Sequence, residues 1–66
     1  MSTIRMIRCA QPVPDPGGMA DRTDFTSSHY RLDEVERGLA IYSVLRPDAS
    51  PTIVFNGQIL CCVVDP

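Results

Sequence analysis

The stretch that decides the fold is Pro51-Thr52-Ile53-Val54-Phe55-Asn56-Gly57-Gln58-Ile59-Leu60-Cys61-Cys62-Val63-Val64. Two runs rich in β-formers flank the dipeptide Asn56-Gly57. Asn-Gly is favoured in two-residue type I′ turns, because both turn positions have positive φ. We therefore predict a C-terminal β-hairpin with Asn56 and Gly57 as its turn, in which a β-branched residue at Gly57 would be strained. Phe55 would pair with Gln58.

This register places apolar side chains on both faces of the hairpin. One face would carry Ile53, Phe55, Gln58, Leu60, Cys62 and Val64, and the other Thr52, Val54, Ile59, Cys61 and Val63. A strand pair that is solvated on one side alternates apolar with polar residues, and this one does not. Because Phe55 is its largest apolar side chain, we predict that the Phe55 face packs inward. The long loop of residues 11–30 could cover the opposite face through Met19 and Phe25. Otherwise that face is a predicted surface for a partner protein or a second copy, formed by Val54, Ile59, Cys61 and Val63.

The segment before the hairpin favours a helix over Asp33–Arg46. Apolar residues recur there at steps of three and four, at Leu32, Val35, Leu39, Tyr42 and Leu45. Asp33 followed by Glu36 fits a capping box, and Pro47 would end the helix. The competing prediction is a strand over Leu39–Leu45, because this segment is also rich in residues that favour sheets.

The N-terminal half contains a short predicted strand, Thr3–Ala10, and then a long segment without periodicity. Residues 11–30 carry alternating prolines and a Gly pair, which predicts a long loop that Met19, Phe25 and Tyr30 anchor to the core. Residues 1–66 are thus predicted to form a single small α+β domain with an N-terminal strand, a long loop, one helix and a C-terminal β-hairpin. The alternative is a mostly β meander.

Composition and charge exclude several classes of protein. The chain has 66 residues and a net charge of −2, and its six basic residues, all Arg, are scattered among eight acidic ones. This pattern provides no basic stripe for direct nucleic-acid binding. No apolar run is long enough to span a membrane, and the N-terminus lacks a signal-peptide layout. We therefore expect a cytoplasmic protein without a membrane partner.

The cysteines and the single histidine do not predict a cofactor, a metal site or an enzyme. Cys9, Cys61 and Cys62 lack zinc-ligand spacing, so we expect buried free thiols. His29 follows Ser27 and Ser28, but consecutive residues rarely form a catalytic pair.

Three functions remain open. The first is a small regulatory or inhibitory protein that acts by protein–protein binding, such as a phage or mobile-element inhibitor of a host complex of the anti-CRISPR kind. The second is a self-associating structural subunit, in keeping with the thin core of so short a chain. The third is a thiol- or metal-dependent sensor that uses the three cysteines.

Overall fold

The protein consists of two small antiparallel β-sheets, in a computed structural model that describes residues 3–18 and 20–65. The strands are β1 (Thr3–Pro14), β2 (Asp21–Thr26), β3 (Tyr30–Val35), β4 (Gly38–Ser43), β5 (Thr52–Phe55) and β6 (Ile59–Asp65), and a 3-10 turn occupies Asn56–Gln58. Sheet A has the order β2-β1-β6 and sheet B the order β3-β4-β5. The predicted α+β class is wrong, because the described residues contain no α-helix.

One core lies between the sheets. Sheet A contributes Ile7, Cys9, Val13 and Phe25, and sheet B contributes Tyr30, Leu39, Ile41 and Val54. The rings of Phe25 and Tyr30 meet edge to face, with centroids 5.0 Å apart. The central strand β4 is the most buried, with Gly38–Ile41 all buried, whereas the edge strand β5 alternates, with Val54 buried between the exposed Ile53 and Phe55.

The segment predicted as a helix, Asp33–Arg46, instead contains the end of β3 and all of β4. The two strands pair from Tyr30↔Ser43 to Val35↔Gly38, around a two-residue turn in which Arg37 has a φ of 70°. The helical period is not kept in the strands: Leu32 and Val35 lie three residues apart in β3, as Leu39 and Tyr42 do in β4, so each pair lies on opposite faces. The pairing of β4 with both β3 and β5 outweighs that period. The alternative prediction of a strand over Leu39–Leu45 lies closer to the structure.

The predicted C-terminal hairpin is also wrong. Both of its strands exist, but β5 pairs with β4 in sheet B and β6 pairs with β1 in sheet A. The 3-10 turn at Asn56–Gln58 carries the chain from one sheet to the other, and Gly57 does not have a positive φ. The Gln58 side chain accepts a hydrogen bond from the Phe55 N–H at 2.8 Å, which satisfies a donor that hairpin pairing would have used.

Most of the loop predicted over residues 11–30 is strand. β1 continues to Pro14, and its pairing with β2 is interrupted between Arg8 and Val13, where Pro12 needs no ladder partner. Phe25 is fully buried in the core, but it belongs to β2 and does not anchor a loop. Met19 lies outside the described residues.

In the described part of the chain, no helix is long and apolar enough to cross a membrane.

Candidate functional site

A groove runs beside the free edge of β6. We call it the β6 groove; its volume is about 480 Å³ and its lining residues are Ile4, Glu34, Val35, Gly38, Leu39, Asn56, Ile59, Leu60, Cys61 and Cys62. Sheet A supplies one wall through β6 and Ile4, and the β3–β4 connection of sheet B supplies the other. The groove exists because β6 has a partner strand, β1, on one side only.

The four edge strands of the two sheets differ in how their edges are protected. Edges are commonly blunted by charged side chains, proline, β-bulges or short strand length. β2 carries Asp21, Arg22 and Asp24, and β3 carries Arg31, Asp33 and Glu34. On β5, the Phe55 N–H is bonded to the Gln58 side chain. β6 has no charged residue and no proline between Ile59 and Val64, and the irregularity of its edge is the register shift against β1 at Leu60.

The predicted partner-binding residues do not form one surface. Val54 is fully buried in the core, and Ile59 is packed against the core. Cys61 is exposed in the β6 groove and Val63 is half-buried. The prediction assumed that β5 and β6 pair with each other, and their separation into two sheets removes the shared face.

Within Thr52–Val64, the large apolar residues that are exposed are those that the predicted register placed inside. The exposed fraction is 69 % for Leu60, 59 % for Phe55 and 49 % for Ile53. Phe55 of β5 and Val35 of β3 both pair with Gly38 of β4, so they flank it on the outer face of sheet B. Val35 also lines the β6 groove. Apolarity on both faces of this segment did signal an exposed patch, but only the strand pairing shows which face it is.

The thiols are not all buried, contrary to expectation. Cys9 lies in the core, where burial raises the pKa of its thiol. Cys61 and Cys62 are exposed and line the β6 groove together. No group of three His, Cys, Asp or Glu side chains among residues 3–18 and 20–65 could hold a metal ion.

A second depression, which we call the polar cleft, has a volume of about 650 Å³ and lies where the other edges of the sheets meet. Its lining residues are Asp15, Gly17, Arg22, Asp24, Thr26, His29, Tyr30, Ser43, Leu45 and Arg46. On its wall the Tyr30 hydroxyl donates to Asp15 Oδ2 at 2.8 Å and accepts from Arg22 Nη1 at 2.8 Å. Burial, followed by the bond to Asp15, raises the pKa of Tyr30, which holds it as a neutral phenol.

Arg8 balances the other acidic residue of the cleft, Asp24. Its guanidinium donates to both carboxylate oxygens, at 3.0 and 3.1 Å, and these bonds lower the pKa of Asp24. The two carboxylates of the cleft are thus each held by a partner within the fold.

Ser28 and His29 do contact each other, although they are consecutive. Ser28 Oγ lies 3.0 Å from His29 Nδ1, and Thr26 Oγ1 lies 2.8 Å from Ser28 Oγ. All of these contacts are exposed, and no carboxylate within the described residues orients the imidazole. A hydrolytic site also needs an oriented base and an oxyanion donor, so this pair does not constitute one.

Comparisons of the chain with protein-family models, with curated proteins and with solved structures give no match.

Proposed function

We propose that this is a non-enzymatic protein-binding protein, a small regulator or inhibitor that captures an extended segment of a partner protein along the free edge of β6. The observation that supports this most directly is the free edge of β6, which has no charged residue or proline from Ile59 to Val64 and lies beside the β6 groove. Inhibition of a host complex by a phage or mobile-element protein is one setting for such binding.

The edge of β6 offers an added strand both hydrogen bonds and side-chain contacts. A free strand edge presents unpaired N–H and C=O groups, and strand addition uses them for affinity, while pockets for alternate side chains provide specificity. Leu60, which is 69 % exposed, would be covered by the incoming segment. Burying apolar surface contributes about 25 cal/mol per Å², so this contact favours binding.

The shape of the groove favours a thin extended segment over a second folded copy. Its far wall is the β3–β4 connection, with Glu34, Val35 and Gly38. A second copy paired through β6 would bring β1 and the rest of its own sheet A against that wall. A volume of about 480 Å³ holds only a short stretch of chain.

The charge of the groove indicates the chemistry of the segment. Glu34 lines the groove and has no ion-pair partner among the described residues. Asp65, at the end of β6, is paired with Arg5 at 3.6 Å. We therefore expect a segment of alternating apolar residues with a basic side chain opposite Glu34.

A random heptapeptide library displayed on phage tests the proposal. We expect selection against the purified protein to enrich peptides with apolar alternation and a Lys or Arg. A selected synthetic peptide should slow amide exchange along β6 and protect Cys61 and Cys62 from alkylation by iodoacetamide. Leu60→Asp should weaken its binding tenfold or more, because a carboxylate would be desolvated in the groove.

Leu45→Asp is the matched control, since Leu45 is 82 % exposed but lines the polar cleft. Both variants should keep the wild-type circular dichroism spectrum. Selected peptides that bind Leu60→Asp as tightly as the wild type would contradict strand capture at β6. A dimer by light scattering that Leu60→Asp converts to a monomer would identify a second copy as the occupant instead. Ile59→Glu is a poor test, because Ile59 packs against the core.

A further inference from the structure

The polar cleft has the features of a binding site for a small phosphate ester, separate from the β6 groove. No residue lines both depressions. Three chain segments meet in the cleft: the turn after β1 with Asp15 and Gly17, the strands β2 and β3, and the segment from Ser43 to Arg46. This site therefore goes beyond the proposed protein binding.

Two Arg and two Asp line the cleft, and because Asp24 is paired with Arg8 from outside it, one guanidinium remains without a carboxylate in the described part of the chain. Asp24 is neutralised by Arg8. Asp15 accepts hydrogen bonds from Tyr30 and from the Gly17 N–H at 3.0 Å, and Arg22 lies 3.9 Å away. Arg46 forms no ion pair with any residue in the described ranges, although it lines the same cleft. An anion in the cleft would provide the missing partner for Arg46.

Ser43 adds an unused donor. Its Oγ accepts a hydrogen bond from the Arg46 N–H at 3.0 Å, and a hydroxyl that accepts in this way still has its own proton to donate. Ser43 is only 7 % exposed, so the hydroxyl is held rigidly at the cleft wall. His29 lines the cleft as well.

These donors point to a phosphate monoester as the ligand: we infer that Arg46, Arg22 and Ser43 bind its phosphate group in the polar cleft. A tetrahedral phosphate has three terminal oxygens for donors that approach from different segments, whereas a carboxylate has two. Guanidinium groups suit phosphate because their N–H groups form a planar fork. The volume of about 650 Å³ exceeds the size of the ion, and the exposed Leu45 at the cleft gives the organic part of the ester an apolar contact.

NMR titrations of the full chain with phenyl phosphate, inorganic phosphate and acetate, at constant ionic strength, test the inference. We expect saturable amide shifts at Arg22, Ser43 and Arg46, with phenyl phosphate binding more tightly than phosphate and acetate at least tenfold more weakly. Arg46→Gln should weaken phenyl phosphate binding tenfold or more, as expected for loss of a charge-assisted hydrogen bond. Arg37→Gln, in the exposed turn between β3 and β4, should leave it unchanged.

Three results would overturn the inference: shifts that do not saturate, equal binding of acetate and phenyl phosphate, or equal binding by wild type and Arg46→Gln. Arg46 is exposed, so its variant is expected to fold, and the amide spectrum verifies this. Leu60→Asp should bind phenyl phosphate normally. Failure of this site would therefore be distinguishable from failure of strand capture at β6.

Discussion

The β6 groove and the polar cleft are both places where sheets A and B meet, yet they are built in opposite ways. The cleft is closed by polar bonds among Asp15, Arg22 and Tyr30. The groove lies along the free edge of β6, and Glu34 is the one charged side chain among its lining residues. The difference is in what each boundary leaves for another molecule: the cleft leaves one guanidinium, Arg46, without an ion pair among the described residues, and the groove leaves the backbone groups of a strand edge and the exposed Leu60.

Three glycines give the strongest way to probe the two boundaries, and Gly38→Ala should have the largest effect. An added Cβ at Gly38, in the groove wall, would overlap the backbone carbonyl oxygen of Val54, which cannot move without displacing β5. We expect the free energy of unfolding to fall by about 3 kcal/mol or more, as in overpacked cores. Urea denaturation followed by circular dichroism measures the loss.

Gly17→Ala and Gly57→Ala complete this series. An added Cβ at Gly17, in the cleft wall, would lie 2.8 Å from Ser43 Cβ, which is a side-chain contact, so we expect a loss of about 1–2 kcal/mol. At Gly57 nothing lies within 4 Å, and the change should stay within about 0.5 kcal/mol. A loss at Gly57 as large as that at Gly38 would argue for the type I′ hairpin and against the separation of β5 from β6.

The sequence predicted the strands near the C-terminus but not their partners. Thr52–Phe55 and Ile59–Asp65 are strands because they are rich in β-formers, and this is a local property. Their pairing is decided by contacts distant in sequence, of β5 with β4 and of β6 with β1, which outweigh the turn preference of Asn56-Gly57. The actual two-residue turn, Glu36-Arg37, requires a positive φ at an Arg and carries no such signal.

The candidate sites, too, could be predicted from the sequence only in part. Apolarity on both faces of the C-terminal segment correctly indicated that some of its apolar surface would be exposed. It could not show that Val54 is buried while Ile53 and Phe55 are exposed, because one residue of register inverts the faces of a strand. The polar cleft was not predicted, since Asp15, Arg22 and Arg46 come together only through the fold.

Tyr30→Phe tests whether the cleft is closed by its polar bonds. The substitution keeps the ring against Phe25 but removes the hydroxyl that joins Asp15 to Arg22. We expect a loss of about 1–3 kcal/mol in the free energy of unfolding, because Asp15 loses a donor in a partly buried position. Urea denaturation at pH 7 measures it.

Tyr42→Phe is the control for that substitution. The Arg31 guanidinium lies 4.2 Å from the centre of the Tyr42 ring, and this stacking does not need the hydroxyl. The control should change stability by less than about 0.5 kcal/mol. Equal losses in the two variants would mean that the Asp15–Tyr30–Arg22 bonds do not close the cleft.

Lowering the pH should reduce the free energy of unfolding through Asp24 of the polar cleft. This is the smallest of the predicted effects. Hydrogen bonds from Arg8 lower the pKa of Asp24 in the folded protein. The folded state therefore binds this proton less readily than the unfolded state, so the pair stabilises the fold above the ordinary Asp pKa of about 4 and ceases to do so as the pH falls through the lower folded value. Because the pair is exposed, the loss should be slight. Carbon-13 NMR of the Asp24 carboxyl should show a pKa below the ordinary Asp range in the wild type and a pKa closer to that range in Arg8→Gln. The control is Arg31→Gln, which removes the exposed pair with Asp33 and should leave the pKa of Asp24 unchanged. An Asp24 titration that Arg8→Gln does not move would show that the Arg8 bonds do not hold this carboxylate in solution.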